Sequence, residues 1–468
     1  MRKLTIQGGL LIIATFLFCI ESQSVLAQEA VSTATSSSTS TTSSLETTTD
    51  STENATSSPA GTTSSSAGAP AISSERSGAG IFSRTPVQIL ATIQGGYDDN
   101  VNTSANQTQG SAFTSGNVVL DYDFGDPRLQ LILNAGAGGT YYYERLANQN
   151  YDINLKGALG VTYKATPRLT LGSTILASYL TEPSFNYGVG VNTRQGNYFY
   201  TTDKFFVSYE WTHRFTTRTS YTFGTINYDN NSIGVFANRV DNTFGNEFRL
   251  QLVPTTSLVA EYRFQTVNYF HEGEVVIPAM IVFNGMFVVI PAVRLHQDST
   301  TQFVLAGLDH TFNPRLTASL RGGAEFRSYD ADGDRTGPYF EGTLNYILGK
   351  RASLTWTNRY GIEEPDVPTS QSRTTFRTGL EARYNLTSRI SSNLAAYYEH
   401  SDYHAAVSSS TLSTAFTEDS VDLSIALRYA VTRYFGVEAR YNHTEISSDT
   451  ASRDYARNRY SAGLTFTF

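Results

Sequence analysis

The chain has 468 residues, with 34 Lys and Arg against 42 Asp and Glu for a formal net charge of -8. That mild acidity argues against a nucleic-acid partner, whose binding face needs clustered basic residues, and a single cysteine, Cys19, excludes a disulfide framework or a cysteine metal site. Negative mean hydropathy suits a soluble protein and equally a barrel whose strands hide apolar residues by alternation, so it decides nothing here.

Arg2 and Lys3 precede an apolar core from Leu10 to Ile20, and Val25-Leu26-Ala27 follows. Residues 1-27 therefore read as a secretory signal peptide cleaved after Ala27, since about 11 apolar residues are too few for a span that needs about 20. Cys19 lies inside that core behind Phe16, Leu17 and Phe18, without the small residue that lipoprotein processing requires. Residues 28-85 are Ser, Thr, Ala and Gly with hardly an aromatic, as in "TATSSSTSTTSSLETTTDSTENATSSPAGTTSSSAG". Such a segment buries too little apolar surface to offset its ordering entropy, so a disordered linker is expected.

From residue 86 to 468 the pattern has period two. "VQILATIQGGY" puts Val87, Ile89, Ala91, Ile93 and Tyr97 on one face and Gln88, Thr92, Gln94 and Asp98 on the other, a strand between two different solvents. The reading recurs from "NVVLDYDF" and "LQLILNAGAGGTYYY" through "LTASLRGGAEF" and "FRTGLEARYNL" to "YSAGLTFTF", giving about 18 strands of bilayer-crossing length. Short connections such as Asp126-Pro127-Arg128, Thr166-Pro167-Arg168, Asn313-Pro314-Arg315 and Thr387-Ser388-Arg389 alternate with long polar loops such as "TEPSFNYGVGVNTRQGN". The expected fold is all-β: a closed antiparallel transmembrane barrel with short periplasmic turns and long surface loops. A propeller lacks its repeated blade signature here, and a β-sandwich would have a polar outer face. Closure hides the strand edges that lipid does not tolerate.

The most apolar stretch beyond the first twenty residues, "VVIPAMIVFNGMFVVIPAV", lies in one of the long loops. Pro278 and Pro291 oppose a helix, and Asn284-Gly285 suits a two-residue type I′ turn. Val275, Val276, Ile277, Pro278, Asn284, Gly285, Phe287, Val288, Ile290 and Pro291 therefore read as an apolar surface hairpin, packed over other loops or touching a partner or lipid.

Alternation also assigns the lumen. If Leu316, Ala318 and Leu320 meet lipid, the same rule turns Arg249, Arg263, Arg321, Arg359, Arg377, Arg383, Arg428 and Arg440 inward, with Glu325, Glu341, Glu381, Glu399 and Glu438 among them. A lipid-facing arginine would cost about 2 to 4 kcal/mol near the midplane, so these candidates are expected to line a wet pore. Arg263, Arg321, Arg383, Arg428 and Arg440 fall about three to five residues from the short turns, where they form either a basic band across the channel or an ion-paired wall. Asp98 and Asp99 in "GYDDNVN" face water or hold calcium. Neither HExxH nor GxSxG occurs, and no enzyme activity, cofactor or metal is expected.

The terminal "YSAGLTFTF", with Tyr460, Leu464, Phe466 and Phe468 on one face, resembles the C-terminal strand by which bacterial outer-membrane proteins are read by the barrel-assembly machinery. "QGGYDDNVNTS" resembles the opening of the β-barrel porin type 2 family, some members of which accompany exopolysaccharide operons. The resemblance implies a protein of the outer membrane of a Gram-negative-type bacterium, in contact with outer-membrane lipid. The expected function is diffusion of small polar or anionic solutes. The alternatives are a component of exopolysaccharide export, with polysaccharide as partner, and a plugged surface scaffold or adhesin.

Overall fold

The computed structural model describes residues 87–468 except 146–149, 183–195, 272–274, 278–279, 284–285, 290–292, 295–296, 331–332, 350, 368–369, 406–414 and 451. The expected signal peptide and linker, Cys19 included, lie outside the described residues. Nine long strands come first: β1 (Val87–Asp98), β2 (Ser111–Gly125), β3 (Leu129–Tyr142), β4 (Tyr151–Lys164), β5 (Leu169–Leu180), β6 (Tyr198–Thr212), β7 (Phe215–Tyr228), β8 (Arg239–Val253) and β9 (Thr256–Tyr269). Four short strands follow, β10 (Val275–Ile277), β11 (Met280–Phe283), β12 (Met286–Val289) and β13 (Val293–Arg294). Nine more complete the chain: β14 (Ser299–Asn313), β15 (Leu316–Tyr329), β16 (Arg335–Leu348), β17 (Ala352–Glu363), β18 (Ser370–Asn385), β19 (Ile390–Ala405), β20 (Phe416–Ala430), β21 (Phe435–Ser448) and β22 (Tyr455–Thr467). Among the described residues a single short helix, α1 (Asn231–Ala237), sits between β7 and β8.

The long strands form one 18-stranded antiparallel sheet, each paired with its neighbour in sequence and β9 with β14. It closes where Leu90 through Asp98 pair with Thr467 through Arg459. The expected barrel, with its strand number, is the observed fold. Followed from partner to partner around the wall, the register returns displaced by about 22 residues, which at ordinary strand spacing and rise implies a tilt of about 40° and a backbone radius of about 18 Å. About twelve residues of such a strand cross a hydrocarbon layer of about 30 Å.

One end of the barrel carries only tight turns, and several share a device. The side chain at the turn's first position accepts backbone N–H groups two and three residues on: Asp126 from Arg128 and Leu129, Thr166 from Arg168 and Leu169, Thr212 from Arg214 and Phe215, Thr387 from Arg389 and Ile390. Asp and Thr do this because a short side-chain oxygen mimics the backbone carbonyl of a turn. All the long connections lie at the other end. There α1 is capped by Asn230, which accepts from Ser232 N–H. Its Ile233, Phe236 and Ala237 pack on Leu180, Tyr198, Ile226 and Tyr228 of the inner wall, so this loop folds into the barrel mouth.

Burial follows the alternation. Ile89, Ile93 and Tyr97 of β1, Phe244, Phe248 and Leu250 of β8 and Val304, Leu308 and Phe312 of β14 are exposed on the outside, while the side chains between them turn inward.

The wall has one breach. The β16–β17 ladder runs from Leu348↔Ala352 only to Phe340↔Tyr360, although β16 continues to pair with β15 as far as Arg335 and β17 with β18 as far as Glu363. Pro338 lies in the unpaired part and has no N–H to give. Opposite it, the Ile362 N–H is accepted by the Glu325 carboxylate and the Ile362 carbonyl accepts from Arg327 Nη2 at 3.0 Å. Two side chains of β15 thus replace the missing rungs, Arg327 supplying the donor that proline lacks. Backbone polar groups in a membrane wall must be satisfied within the protein.

Candidate functional site

The interior of the barrel is the candidate site. Every arginine and glutamate selected by alternation lies on the inward phase of its strand. Arg249, Arg263, Arg321, Arg377, Glu325, Glu399 and Glu438 are buried; Arg359, Arg383, Arg428, Arg440, Glu341 and Glu381 are half-buried. The reason is the pleat. Consecutive side chains point to opposite faces, so one register fixes the whole strand.

These side chains assemble into networks along the wall. On β17 to β19, Arg377 binds Glu399 at 2.7 Å and Glu363 at 3.2 Å, while Arg373 binds the same two carboxylates at 2.9 and 3.2 Å. Four alternating charges close a square, with Arg359 3.5 Å from Glu363 at its edge. On β8 to β16, Arg263 joins Glu261 at 2.6 Å and Glu341 at 2.7 Å under the Tyr339 ring, Arg321 joins Asp309 at 2.8 Å, and Arg249 holds both Glu247 and Asp309. Near the mouth, Arg457 bridges Asp98 and Glu182.

For the proposed basic band, the geometry divides its members. Arg263, Arg321 and Arg440 are each paired with a carboxylate, the last with Glu438 at 2.8 Å, as in an ion-paired wall. Arg428 donates to Thr467 Oγ1 at 3.1 Å, and Arg383 belongs to no ion pair among the described residues. Glu381 accepts from the Tyr397 hydroxyl.

Sequence reasoning missed Glu247, Glu261, Asp309, Arg327, Glu363, Arg373 and Arg457, all of which hold the network together. A signal was available. Five Glu-x-Arg tripeptides occur, Glu247-Phe248-Arg249, Glu261-Tyr262-Arg263, Glu325-Phe326-Arg327, Glu381-Ala382-Arg383 and Glu438-Ala439-Arg440. Residues two apart share a strand face about 7 Å apart, close enough for arginine to fold back onto its own glutamate. Three of the five do so.

In the apolar loop, β11 pairs with β12 from Met280↔Val289 to Phe283↔Met286, and Val275 of β10 pairs with Arg294 of β13. Phe287 and Val288 lie on β12, and Val276 and Ile277 on β10. Pro278, Asn284, Gly285, Ile290 and Pro291 lie outside the described residues. Asp98 is engaged by Arg457, and Asp99 accepts from the Asn458 backbone and carboxamide. Tyr460, Leu464 and Phe468 are exposed on the outer face of β22, with Phe466 against Phe435.

A closed barrel with a polar, ion-paired interior and an apolar exterior defines a porin-like β-barrel. Its residues 336–468 match the family described as Putative beta-barrel porin 2, the family whose opening the segment "QGGYDDNVNTS" resembles. No curated protein matches. Solved structures of similar fold include OccAB4 from Acinetobacter baumannii, at 11% identity over 82% of this chain and 99% of that one with a TM-score of 0.40. A BenF-like porin from Pseudomonas fluorescens Pf-5 matches at 8% identity over 81% and 98%, with a TM-score of 0.41. The siderophore receptor PirA from Pseudomonas aeruginosa matches at 9% over 82% and 80%, with a TM-score of 0.36.

Proposed function

We propose that the chain is an outer-membrane channel through which small polar or anionic solutes diffuse, with the short turns facing the periplasm and the long loops the cell surface. The observation that carries this is the direction of the ion pairs. Among the described residues, each joins positions no more than about five strands apart in an 18-strand circle, so none of these ion pairs joins opposite walls. At a radius of about 18 Å, wall side chains alone would not fill a round interior, which leaves room for a water-filled path beside the buried ion pairs.

Orientation draws on charge. Arg128, Arg168, Arg214, Arg315, Arg351, Arg389 and Arg433 ring the tight-turn end, where long cationic side chains can reach lipid headgroups. Asp402, Asp419 and Glu445 lie outward at the other end. A plugged scaffold is the second reading, favoured by α1 folding onto the inner wall. Planar-bilayer recording of the purified barrel tests both. Discrete conductance steps preferring anions are expected, with the preference reduced in Arg383→Ala/Arg428→Ala. A folded barrel without conductance would overturn the diffusion reading in favour of the plug. Unchanged selectivity in the double variant would remove these two arginines from it.

A further inference from the structure

Among the described strands, one sector of the outside carries an acid near mid-strand. On β6 the outward phase is Phe199, Thr201, Asp203, Phe205, Val207, Tyr209 and Trp211, which puts Asp203 on the same face as the exposed Phe205 and Val207, near mid-strand. The other outward acids of the described strands, Asp402, Asp419 and Glu445, lie close to the long-loop end. Two strands away, Asn242 and Asn246 face outward on β8 on either side of the exposed Phe244, with the exposed Phe248 next below Asn246. A carboxylate and two carboxamides at the level of lipid tails are costly unless another protein surface satisfies them.

Their hydrogen bonds show what is left over. Asp203 accepts from Thr201 Oγ1 at 3.0 Å and from the backbone at Leu176, and its two carboxylate oxygens keep acceptor capacity beyond these. Asn242 Oδ1 accepts from the Tyr221 hydroxyl at 2.7 Å and Asn246 Oδ1 from Thr219 Oγ1 at 3.1 Å, both on the intervening β7. Both carboxamide oxygens are engaged within the chain, and the two Nδ2 groups remain as donors. An acceptor on one flank and donors on the other cannot meet within one barrel, because β7 separates them. Asp203, Phe223 and Asn242 are successive register partners across the three strands. With strands tilted about 40°, Asp203 stands at a height between Asn242 and Asn246.

We infer that the outward face of β6, β7 and β8 is the contact surface between two copies of this chain, related by a two-fold axis normal to the bilayer and passing by Tyr221. Copies inserted the same way round can be related only by an axis normal to the membrane, which preserves heights. That operation carries β6 of one copy to β8 of the other. Each Asp203 carboxylate then meets the Asn242 and Asn246 amides of the second copy, and the bonds form twice. A second copy suits the surface better than a different protein, since one chain supplies both halves of the complementarity.

Oxidative cross-linking of the full chain in native outer membranes tests this. The one natural cysteine, Cys19, lies within the expected signal peptide, so Tyr221→Cys introduces the single thiol of the barrel. A disulfide-linked species of twice the chain mass is expected, with peptides of this chain alone, whereas Leu427→Cys, on the exposed outer face of β20 across the barrel, gives at least tenfold less. Adding Asp203→Leu to Tyr221→Cys should lower the yield at least fivefold, and Asn246→Val should do the same if the first variant fails the heat-shift test for a folded barrel. The inference is overturned if Tyr221→Cys cross-links no more than Leu427→Cys, if it captures a different polypeptide, or if the folded Asp203 and Asn246 variants cross-link like the parent.

Discussion

Removing the Glu325 carboxylate should open the breach between β16 and β17 locally while the rest of the barrel stays closed. In Glu325→Ala the Ile362 N–H loses its acceptor, and the register offers no replacement, because the β16–β17 ladder stops at Phe340↔Tyr360. A hydrogen bond to a charged group contributes about 1.5 to 3 kcal/mol, and a buried N–H left unsatisfied costs a similar amount; the two overlap, so about 2 kcal/mol of local opening energy is at stake. At 1.4 kcal/mol per decade, that is about thirtyfold faster amide exchange. Hydrogen exchange of the segment around Tyr360 to Glu363, in nanodiscs, reads it. Arg327 would keep its bond to the Ile362 carbonyl, so exchange should rise at Ile362 more than at its neighbours. Pro338→Ala restores an N–H to β16 and should recover part of the protection when combined with Glu325→Ala. Exchange in Glu325→Ala within about threefold of the parent would refute the view that side chains of β15 hold this seam.

Two further outcomes follow from the ion pairs. Arg377→Met removes one corner of the Glu363–Arg373–Glu399–Arg377 square; because Arg373 remains beside both carboxylates, the loss should fall near the low end of the usual 3 to 5 kcal/mol for a broken buried pair, about 3 kcal/mol in urea unfolding from lipid vesicles, and a loss below about 1 kcal/mol would mean the square is hydrated. At the long-loop end, Asp366 and Arg453 pair at 2.7 Å between two loops. Burial alone would raise the Asp366 carboxyl, but Arg453 and Arg373 outweigh it and hold the group below the ordinary aspartate value of 3.8. A lowered carboxyl contributes stability above its unfolded value and loses it as pH falls through the folded one, so this latch should be intact at neutral pH and release only below 3.8. Protease cleavage in the 449–454 loop should therefore stay slow from pH 7 to 5, and Asp366→Asn should accelerate it already at pH 7.

Much of this architecture was legible because a membrane wall imposes one rule at every position. Val87, Ile89 and Ile93 could be set on the lipid face from alternation alone, and the triplets around Asp126, Thr166, Asn313 and Thr387 announced which connections would be tight. The same rule placed the inward arginines. It could not pair them, since pairing depends on register between strands distant in sequence: Arg263 meets Glu341 only because β14 and β15 bring β9 and β16 within reach. The breach was likewise hidden. Pro338 marks a place where a ladder should fail, but that Glu325 and Arg327 fill it follows from β15 lying on the far side of β16.

The ion pairs bear on what a solute in the lumen would feel. Paired charges 2.6 to 3.2 Å apart cancel within a few ångströms, so the Glu363–Arg373–Arg377–Glu399 group presents dipoles rather than net charge, while Glu261–Arg263–Glu341 keeps one net negative charge. A long-range field must come from charges without such partners, of which Arg383 and Arg428 face the lumen on β18 and β20. The arc from β1 to β5 is different. Its inward phase is mostly amide, hydroxyl, glycine and aliphatic, including Gln88, Thr92, Gln94, Asn117, Gly136, Asn154, Thr174 and Ser178. In the proposed channel a solute would pass between a largely uncharged hydrogen-bonding arc, with Asp98, Asp121, Asp123, Asp152, Lys156 and Lys164 as its charged exceptions, and a wall of ordered ion pairs. Under the channel reading this would suit neutral polar molecules, because amides and hydroxyls replace their hydration at little cost, and small anions, whose charge is compensated at arginines without carboxylate partners.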